Sequence, residues 1–395
     1  MLEGRRIVVA LGGGIAAFKA VALVRELGRR GAEVRVVMTE AATRFVGPVT
    51  FAGLTGRPAV TNLWDPSYAG EVHVELGAWA DAVVVAPATM NLLARAANGL
   101  ADDVVLATIA CARGALLFAP AMHERMWSRG STQRNVAALA SDGARFVGPV
   151  EGALASGEVG RGRMAEPEAI ADATEALFAP QDFEGRHVVV SAGPTHEDLD
   201  PVRFLGNRST GRMGFAIAAA AAARGARVTL VAGPVTLGTP SGVTRIDVRS
   251  ALELEAAVTK AAADADAVVM AAAVADYRPA ERTEQKRKKQ EGPLVLELVR
   301  NPDVLAGLGA ARTGTLPVLV GFALETEKVV ENARDKLRRK KVDLVVANHA
   351  SDGFGGDDNV VTLVEEGGEE ALSKQTKRAI ADRILDRIRA RLAAS

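Results

Sequence analysis

Apolar runs rich in β-branched residues alternate with helical patterns along this sequence. In the first half the predicted strands are RIVVAL, EVRVVMT, DAVVVAPAT and ALLFAPAM, and helical patterns fall at 15–30, 91–98, 103–111 and 131–141. Strands that alternate with helices form parallel sheets covered by helices on both faces. We therefore expect an α/β fold built of Rossmann-like, three-layer domains with mostly parallel sheets.

The second half of the sequence starts the same plan again. GRHVVVSAGPT at 185–195 echoes GRRIVVALGGG at 4–14, and later strand patterns are DAVVMAAAVADY, LPVLVGFALE and VDLVVANHA. Proline and polar residues interrupt the periodicity at 178–185. We predict two domains of related plan, at 1–180 and 186–395.

Charge and cysteine content narrow the function classes. The 395 residues include 48 basic and 48 acidic side chains, so we expect neither nucleic acid nor a membrane as partner. No run is long enough to span a bilayer, and no secretory signal pattern is visible. The single cysteine, Cys111, excludes an intrachain disulfide and fits a helical core position. These features predict a cytoplasmic protein.

The first glycine turn does not by itself identify the ligand that it binds. Gly12, Gly14 and Ala17 fit G-x-G-x-x-[G/A], and Glu40 lies about where a ribose-binding acid would, so an NAD-dependent oxidoreductase is one hypothesis. A glycine turn can equally serve only to pack a strand closely against a helix. Free N–H groups at a helix start suit a phosphate or another anion.

Motifs beyond that turn resemble known enzymes. MTEAA, VHVELGAWAD, APATMNLLARAANGLADD and PAMHERMW are similar to flavin-dependent cysteine decarboxylases. AGPTHEDLDPVRFLGNRSTGRMG, AAAVADYRP, RNPD, GFALET and ANHASDGFGGDDN resemble phosphopantothenate–cysteine ligases. In this order the chain resembles the bifunctional phosphopantothenoylcysteine decarboxylase/phosphopantothenate–cysteine ligase family of coenzyme A synthesis. The resemblance implies a flavodoxin-like N-terminal decarboxylase domain and a C-terminal ligase domain.

For the first half, the resemblance implies FMN as cofactor. The flavin would oxidise the terminal cysteine thiol, CO2 would leave, and the reduced flavin would then reduce the enethiol. His73 matches the family's base, although a histidine at a surface or structural position is the alternative. The implied FMN contacts are Gly13, Gly14, Ile15, Thr39, Pro87, Ala88, Thr89, Asn91 and Met122.

Three positions depart from the family pattern. Gly12 replaces a frequent serine, His123 replaces the asparagine that grips the substrate carboxylate, and Ser156 replaces a cysteine that donates a proton. A serine hydroxyl is a far weaker acid than a thiol, so water, His123 or another group would supply that proton. We expect an active decarboxylase, with Ser156 and His123 among its candidate catalytic residues. The alternative is an FMN-binding scaffold without decarboxylase activity that presents active ligase domains.

For the second half, the resemblance implies that CTP activates 4′-phosphopantothenate as an acyl-cytidylate, which the cysteine amine then attacks. Asn207 would hold the acyl intermediate, with a helix N-cap as the alternative. Lys286 would act catalytically on a closing loop at 279–292, with a solvated charge run as the alternative. The implied CTP contacts are Met270, Ala271, Ala272, Asp276, Lys286, Asn301, Pro302, Asp303, Val304, Phe322, Lys336 and Lys340.

Other expectations concern glycines, metal and assembly. Gly206, Gly211 and Gly214 would let the backbone approach phosphate, and Ser209 and Thr210 offer polar contacts. Mg2+ would bind largely through CTP, with Asp276 as the protein's metal contact. For Lys336 and Lys340, a solvent-facing basic stripe is the alternative. The resemblance also implies a homo-oligomer, with decarboxylase trimers assembled into a dodecamer through ligase dimers.

Overall fold

The apolar β-branched runs of the sequence form the strands of two separate sheets. A computed structural model describes residues 2–65, 68, 70–153, 156–286, 295–325, 327–349, 356 and 358–393. The chain divides into two compact units, Met1–Phe178 and Ala179–Ser395. Each unit has its own sheet, so each is described by itself.

The first unit contains a five-stranded parallel sheet. Its strands are β1 Arg6–Leu11, β2 Glu33–Met38, β3 Ala82–Ala88, β4 Ala115–Pro120 and β5 Arg145–Phe146. They lie in the order β2-β1-β3-β4-β5. This flavodoxin-like order reverses direction between β1 and β3, and ligands of open α/β sheets bind at such a switch point.

Helices cover both faces of this sheet. They are α1 Ala17–Arg29, α2 Glu40–Thr43, α3 Pro48–Thr55, α4 Val72–Trp79, α5 Met90–Ala97, α6 Val104–Cys111, α7 Glu124–Trp127, α8 Gly130–Ser141 and α9 Pro167–Ala176. Ile7 and Val9 of β1 join the core on one face, and Val8 and Ala10 join the core on the other. Burial on both faces explains the continuous apolar run. An antiparallel hairpin, β6 Val150–Ala153 and β7 Val159–Arg163, follows β5.

The second unit contains an eight-stranded sheet in the order β12-β11-β8-β13-β16-β17-β18-β19. The strands are β8 His187–Ala192, β11 Arg227–Ala232, β12 Val243–Asp247, β13 Ala267–Met270, β16 Val318–Glu325, β17 Leu344–His349, β18 Asp358–Glu365 and β19 Gly368–Thr376. All pairs are parallel up to β17, and β18 and β19 add an antiparallel edge. The strand order reverses between β8 and β13.

The remaining elements among the described residues of this unit are five helices and two short hairpins. The helices are α10 Arg212–Ala223, α11 Ala251–Ala262, α12 Val304–Ala311, α13 Val329–Lys340 and α14 Lys377–Ala393. The hairpins pair β9 His196–Asp198 with β10 Phe204–Gly206 and β14 Tyr277–Pro279 with β15 Leu298–Arg300. Within the described ranges, no helix is both long and apolar enough to cross a bilayer.

The predicted α/β class with mostly parallel sheets is confirmed, and one local prediction is wrong. The run DAVVMAAAVADY is not one strand, because β13 ends at Met270. The segment 192–203, which carries one of the ligase-like motifs, contains β9 and buries Thr195, Glu197 and Asp200. Of the predicted loop at 279–292, residues 287–292 lie outside the described residues.

Candidate active sites

The first glycine turn lies at the switch point between β1 and β3. The Gly12 N–H donates to the Pro87 carbonyl at 3.1 Å. A Cβ on Gly12 would fall 2.6 Å from that oxygen, and one on Gly13 would fall 2.4 Å from the Ala41 Cβ. Only glycine therefore fits at these two positions. The turn leads into α1, whose first N–H groups have no partner within the helix.

Two threonines flank this turn, and they differ in whether the hydroxyl proton already has a hydrogen-bond acceptor. The Thr39 hydroxyl accepts from the Ala42 N–H and reaches the Leu11 carbonyl, both at 3.2 Å, so its proton has an acceptor. The Thr89 hydroxyl accepts from the Leu92 N–H at 3.3 Å as the N-cap of α5. The Thr89 proton is thus the better donor to a bound ligand.

The other predicted flavin contacts surround the same crevice. Pro87 and Ala88 are buried at the end of β3, and the Ala88 carbonyl accepts from the Ala121 N–H at 3.1 Å. Asn91 is exposed on the first turn of α5, and Gly14 would place a Cβ 3.4 Å from the Thr89 methyl. Ile15 is 63% exposed, so the rim of the turn is apolar and open.

His73 occupies the first turn of α4 with its two ring nitrogens in different surroundings. Its Nε2 lies 3.9 Å from a carboxylate oxygen of Glu71. Its Nδ1 is buried and, within the described part of the chain, has no hydrogen-bond partner. An unsatisfied buried nitrogen costs free energy, which argues against a purely structural histidine. The ring can accept a proton, as a base requires, but the structure records no hydrogen bond from it to the glycine turn.

His123 caps the short helix α7. Its Nδ1 accepts from the Arg125 N–H at 3.1 Å, and its Nε2 lies 2.7 Å from an oxygen of Glu158. Since Nδ1 accepts, the ring proton resides on Nε2 and is donated to the Glu158 carboxylate. The imidazole therefore offers one donor in this crevice. Its neighbour Met122 donates its N–H to the Gly162 carbonyl at 3.0 Å.

Ser156 lies in the turn between β6 and β7 and is exposed. Cys111 is half-buried at the end of α6 and is not one of the buried residues of that helix. A cleft of about 420 Å3 lies elsewhere in this unit, along β2, and is lined by Arg35, Tyr68 and Glu75 among others. None of the predicted site residues lines that cleft.

In the second unit, the switch point between β8 and β13 carries a longer connection. Gly193 and Gly211 adopt φ of 80° and 76°, which favour glycine. The Ser191 hydroxyl accepts from the Ala272 N–H at 3.2 Å, and the Thr195 hydroxyl accepts from the Ala275 N–H at 3.0 Å. These bonds tie the segment after β8 to the segment after β13. Met270 ends β13, and Ala271 and Ala272 follow it at the same end of the sheet.

Asn207 projects from this connection. Its side-chain N–H donates to the Val274 carbonyl at 2.9 Å, whereas the N-cap of α10 is Gly211. The alternative of an N-cap for Asn207 is therefore wrong. Gly214 sits in α10 where a Cβ would fall 2.5 Å from the Ala192 Cβ, so the helix packs directly on the end of β8.

A cluster of polar groups lies at the start of α12 and along α13. Asp303 caps α12 through the Ala306 N–H at 3.1 Å, and the Lys340 ammonium lies 2.8 Å from its other oxygen. The Lys336 ammonium donates to the Phe322 carbonyl at 2.5 Å. Both lysines turn inward, so the alternative of a solvent-facing basic stripe is wrong. Pro302 is half-buried and Val304 is buried beside Asp303.

Burial and charge shift two pKa values in this cluster. Burial lowers the pKa of the Lys336 ammonium, and the neighbouring Lys340 lowers it further. Burial raises the pKa of Asp303, but the hydrogen bond from Lys340 and the Ala306 N–H outweigh it, so the net shift is downward. The cluster therefore holds a carboxylate and two cations whose charges are partly balanced.

Asn301 is tied by hydrogen bonds to the segment after β13. The Asn301 N–H donates to the Asp276 carbonyl and its side chain donates to the Ala275 carbonyl, both at 2.8 Å. The Asp276 and Lys286 side chains are exposed. Among the described residues, no group of three or more His, Cys, Asp or Glu side chains could hold a metal ion.

Sequence reasoning missed several polar residues of both sites. Glu158, Ser191, Thr195 and Glu197 were not among the predicted site residues. Ser191 had a usable signal, because it is a hydroxyl at the end of an otherwise apolar strand. Glu158 had no such signal in the sequence, since its contact with His123 joins positions 35 residues apart.

Comparison with known proteins identifies the family. Residues 1–179 match the Flavoprotein family model, and residues 183–392 match the DNA/pantothenate metabolism flavoprotein C-terminal domain. The coenzyme A biosynthesis bifunctional protein CoaBC of Escherichia coli K12 is 45% identical over 395 residues, covering 98% of this chain and 97% of that protein. The chain belongs to this bifunctional family. The CoaBC protein of Bacillus subtilis 168 is 42% identical and covers 99% of this chain and 98% of its own length.

A solved structure is similar to part of this chain. The crystal structure of the C-terminal domain of CoaBC shares 38% sequence identity, spans 54% of this chain and 100% of that domain, and gives a TM-score of 0.48. The resemblance drawn from the motifs is confirmed, and with it a bifunctional enzyme with a decarboxylase and a ligase domain. A flavoprotein model across the first glycine turn favours a flavin over the NAD hypothesis.

Proposed function

We propose that residues 186–395 ligate cysteine to 4′-phosphopantothenate with CTP, and that residues 1–180 decarboxylate the product with FMN. The observation that carries this proposal is the pair of glycine-lined crevices, one at the switch point of each sheet. The division of the chain into units at 178 and 179 supports the domain bounds.

The crevice between β1 and β3 fits FMN. Gly12 and Gly13 have no room for a Cβ, so the backbone itself forms the cradle for the phosphate at Gly13, Gly14 and Ile15. Thr89 would donate its free hydroxyl proton, and Thr39 would support the turn. Pro87, Ala88, Asn91 and Met122 would contact the ring system. When bound, FMN supplies the oxidation of the cysteine thiol and returns the electrons after CO2 leaves.

The protein's own residues orient the substrate and move protons. His73 takes the proton from the substrate thiol, a task that suits a neutral imidazole. The Nε2–H of His123 faces the substrate carboxylate. Ser156 can hydrogen-bond but is too weak an acid to replace a thiol, so water at its exposed position supplies the last proton.

The crevice between β8 and β13 fits an acyl-cytidylate. The backbone at Gly206, Gly211 and Gly214 approaches the phosphates, and the Asn207 amide holds the acyl group, because its orientation is fixed by Val274. Lys336 and Lys340 neutralise phosphate charge, and Lys286 closes over the site. Mg2+ would be held mainly by the triphosphate, with Asp276 as its contact on the protein, and would neutralise phosphate charge. Met270, Ala271, Ala272, Asn301, Pro302, Asp303, Val304 and Phe322 contact the nucleoside.

Mass analysis of the products tests both steps. Purified protein loaded with FMN is incubated with 4′-phosphopantothenate, cysteine, CTP and Mg2+. We expect pyrophosphate, CMP and a pantetheine product that has lost one CO2. Accumulation of 4′-phosphopantothenoylcysteine would instead support the scaffold alternative, and absence of both products would overturn the proposal.

The proposal extends to assembly and location. Ile15, Phe18, Phe45 and Val49 are large exposed apolar residues on or near the first turn, a pattern typical of a covered surface. It supports a homo-oligomer. The family resemblance implies decarboxylase trimers joined into a dodecamer by ligase dimers, and the balanced charge and single cysteine are the basis for proposing a cytoplasmic location. Mass photometry of the full chain tests the subunit count.

A further inference from the structure

The hairpin β6–β7 docks on the loop after β4 through backbone contacts. The Met122 N–H donates to the Gly162 carbonyl at 3.0 Å. A Cβ on Gly162 would fall 2.1 Å from the Met122 carbonyl oxygen, and one on Gly160 would fall 2.1 Å from a Glu124 oxygen. Gly162 therefore lets β7 lie directly against the backbone at Met122, and Gly160 leaves room for the Glu124 side chain.

Side-chain contacts of Glu158 with His123 and Arg125, which we call the clasp, accompany this backbone contact. His123 donates its Nε2 proton to Glu158 at 2.7 Å, and the Arg125 guanidinium lies 3.4 Å from the other Glu158 oxygen. The His123 Nδ1 is occupied by the Arg125 N–H, so the ring has no second proton to offer. Among the described residues, the single N–H of the His123 imidazole thus donates to Glu158, a carboxylate of the protein itself.

We propose that Glu158 is a specificity-determining residue, because it competes with the substrate carboxylate for the Nε2 proton of His123. This inference rests on the proposed decarboxylase function, in which His123 faces that carboxylate. One N–H makes one well-aligned hydrogen bond. A substrate that carries a carboxylate must therefore displace Glu158, whereas the decarboxylated product leaves the clasp closed.

The clasp makes the hairpin respond to the presence of a carboxylate. Glu158 precedes β7 directly, so its release from His123 removes a side-chain anchor at the turn end of the hairpin, two residues from Ser156. Loss of CO2 removes the competing group and restores the anchor. The enzyme would then favour a docked hairpin during the later, carboxylate-free part of the reaction.

The variant Glu158→Gln tests the competition, because it keeps the shape and removes the charge. The probes are 4′-phosphopantothenoylserine, which has the carboxylate but no thiol to oxidise, and 4′-phosphopantetheine, which has no carboxylate. Isothermal titration calorimetry on the FMN-loaded full chain measures both dissociation constants. We expect the serine analogue to bind about fivefold more tightly to Glu158→Gln, since a charged acceptor outcompetes a neutral one, and 4′-phosphopantetheine to bind unchanged or more weakly.

Glu151→Gln is the matched control, since Glu151 is an exposed carboxylate on the other strand of the same hairpin. It should leave both constants within twofold of wild type. An equal gain in both Gln variants would reduce the effect to net charge and overturn the inference. Unchanged constants in Glu158→Gln would overturn it as well.

Hydrogen–deuterium exchange of residues 156–163 gives a readout that is independent of turnover. In wild type the serine analogue should speed exchange there and 4′-phosphopantetheine should not, and in Glu158→Gln exchange should be fast with either probe. Slower exchange with the serine analogue would contradict the clasp. If wild type binds neither probe, the proposed function fails too, whereas probe binding without the Glu158 effect sinks only this inference.

Discussion

The two crevices lie at equivalent switch points, but the connections that form them differ in length and in burial. In the first unit, β1 ends at Leu11 and α1 begins at Ala17, and glycines fill the turn between them. In the second unit, β8 ends at Ala192 and α10 begins only at Arg212. The connection at 193–211 buries Thr195, Glu197 and Asp200, whereas the rim of the first turn is open.

This difference follows from where the backbone can find hydrogen bonds. A short turn into a helix leaves its N–H groups free for a ligand, so steric room is its main requirement. A long buried connection must satisfy its own polar groups, and buried side chains do this. Glu197, for example, accepts from the Ala251 N–H at 2.9 Å. The first crevice should thus be sensitive to added volume, and the second to lost hydrogen bonds as well.

The largest expected effect separates the two reactions. His73→Gln removes the base that we assign to the first site, and general bases contribute roughly 100-fold to 10,000-fold to rates. We expect the decarboxylation rate to fall about 1,000-fold while the ligation rate stays unchanged. Stopped assays on 4′-phosphopantothenoylcysteine and on CTP turnover measure the two rates in one preparation.

The flavin content of His73→Gln is the control for that experiment. It should equal that of wild type, because the side chain has no recorded bond to the glycine turn. A decarboxylation rate within threefold of wild type would show that His73 is not the base and has a structural role.

Paired glycine variants should affect one site each. Gly13→Ala places a Cβ 2.4 Å from the Ala41 Cβ, and Gly214→Ala places one 2.5 Å from the Ala192 Cβ. Overpacking against such neighbours costs about 3 kcal/mol, or roughly 100-fold in an equilibrium. We expect Gly13→Ala to lose FMN affinity by that factor and Gly214→Ala to lose CTP affinity, measured by flavin fluorescence and by calorimetry.

Gly28→Ala and Gly307→Ala are matched controls on α1 and α12. Neither glycine has a heavy atom within 4 Å of the added Cβ. Both variants should keep normal ligand affinity, with slightly higher stability because alanine favours helices. Loss of CTP affinity in Gly13→Ala would show that the two crevices are not independent.

The sequence predicts the strands that are buried on both faces, because their apolar runs are continuous. RIVVAL and β1 coincide at Arg6–Leu11. It does not predict β18 and β19, where exposed and buried residues alternate and the local pattern is weaker. Motif positions could be proposed as site residues from the sequence, and these roles stay predictions. Contacts such as His123 with Glu158 could not, since they depend on how a distant hairpin docks.

A third experiment compares the hydrogen bonds that hold each crevice. Glu197→Ala leaves the buried Ala251 N–H unsatisfied, at a cost of about 2 kcal/mol. Thr89→Ala removes the N-cap of α5, at a cost of about 1 kcal/mol. Urea unfolding, followed by hydrogen exchange within each unit, measures the two free energies. Glu197→Gln keeps an acceptor and should recover most of the loss, so an equally unstable Gln variant would rule out this account.

The smallest expected effect is a difference in pH dependence between the two ligands. The first crevice offers backbone N–H groups, which do not titrate, whereas the second offers Lys336. Burial and the nearby Lys340 hold the pKa of Lys336 below its ordinary value of 10.5, against the opposing charges of Asp303 and Glu325. The ammonium therefore loses its proton at a lower pH than an exposed lysine, and with it part of the attraction for phosphate. As the pH rises through the lowered pKa of Lys336, CTP affinity should fall about threefold, starting at a lower pH than for an exposed lysine, while FMN affinity stays flat. Lys336→Arg, whose guanidinium stays charged as the pH rises, should flatten the CTP curve. A parallel decline of both affinities would mean that the titrating groups are common to both sites, and the contrast between backbone and side-chain anion binding would be lost.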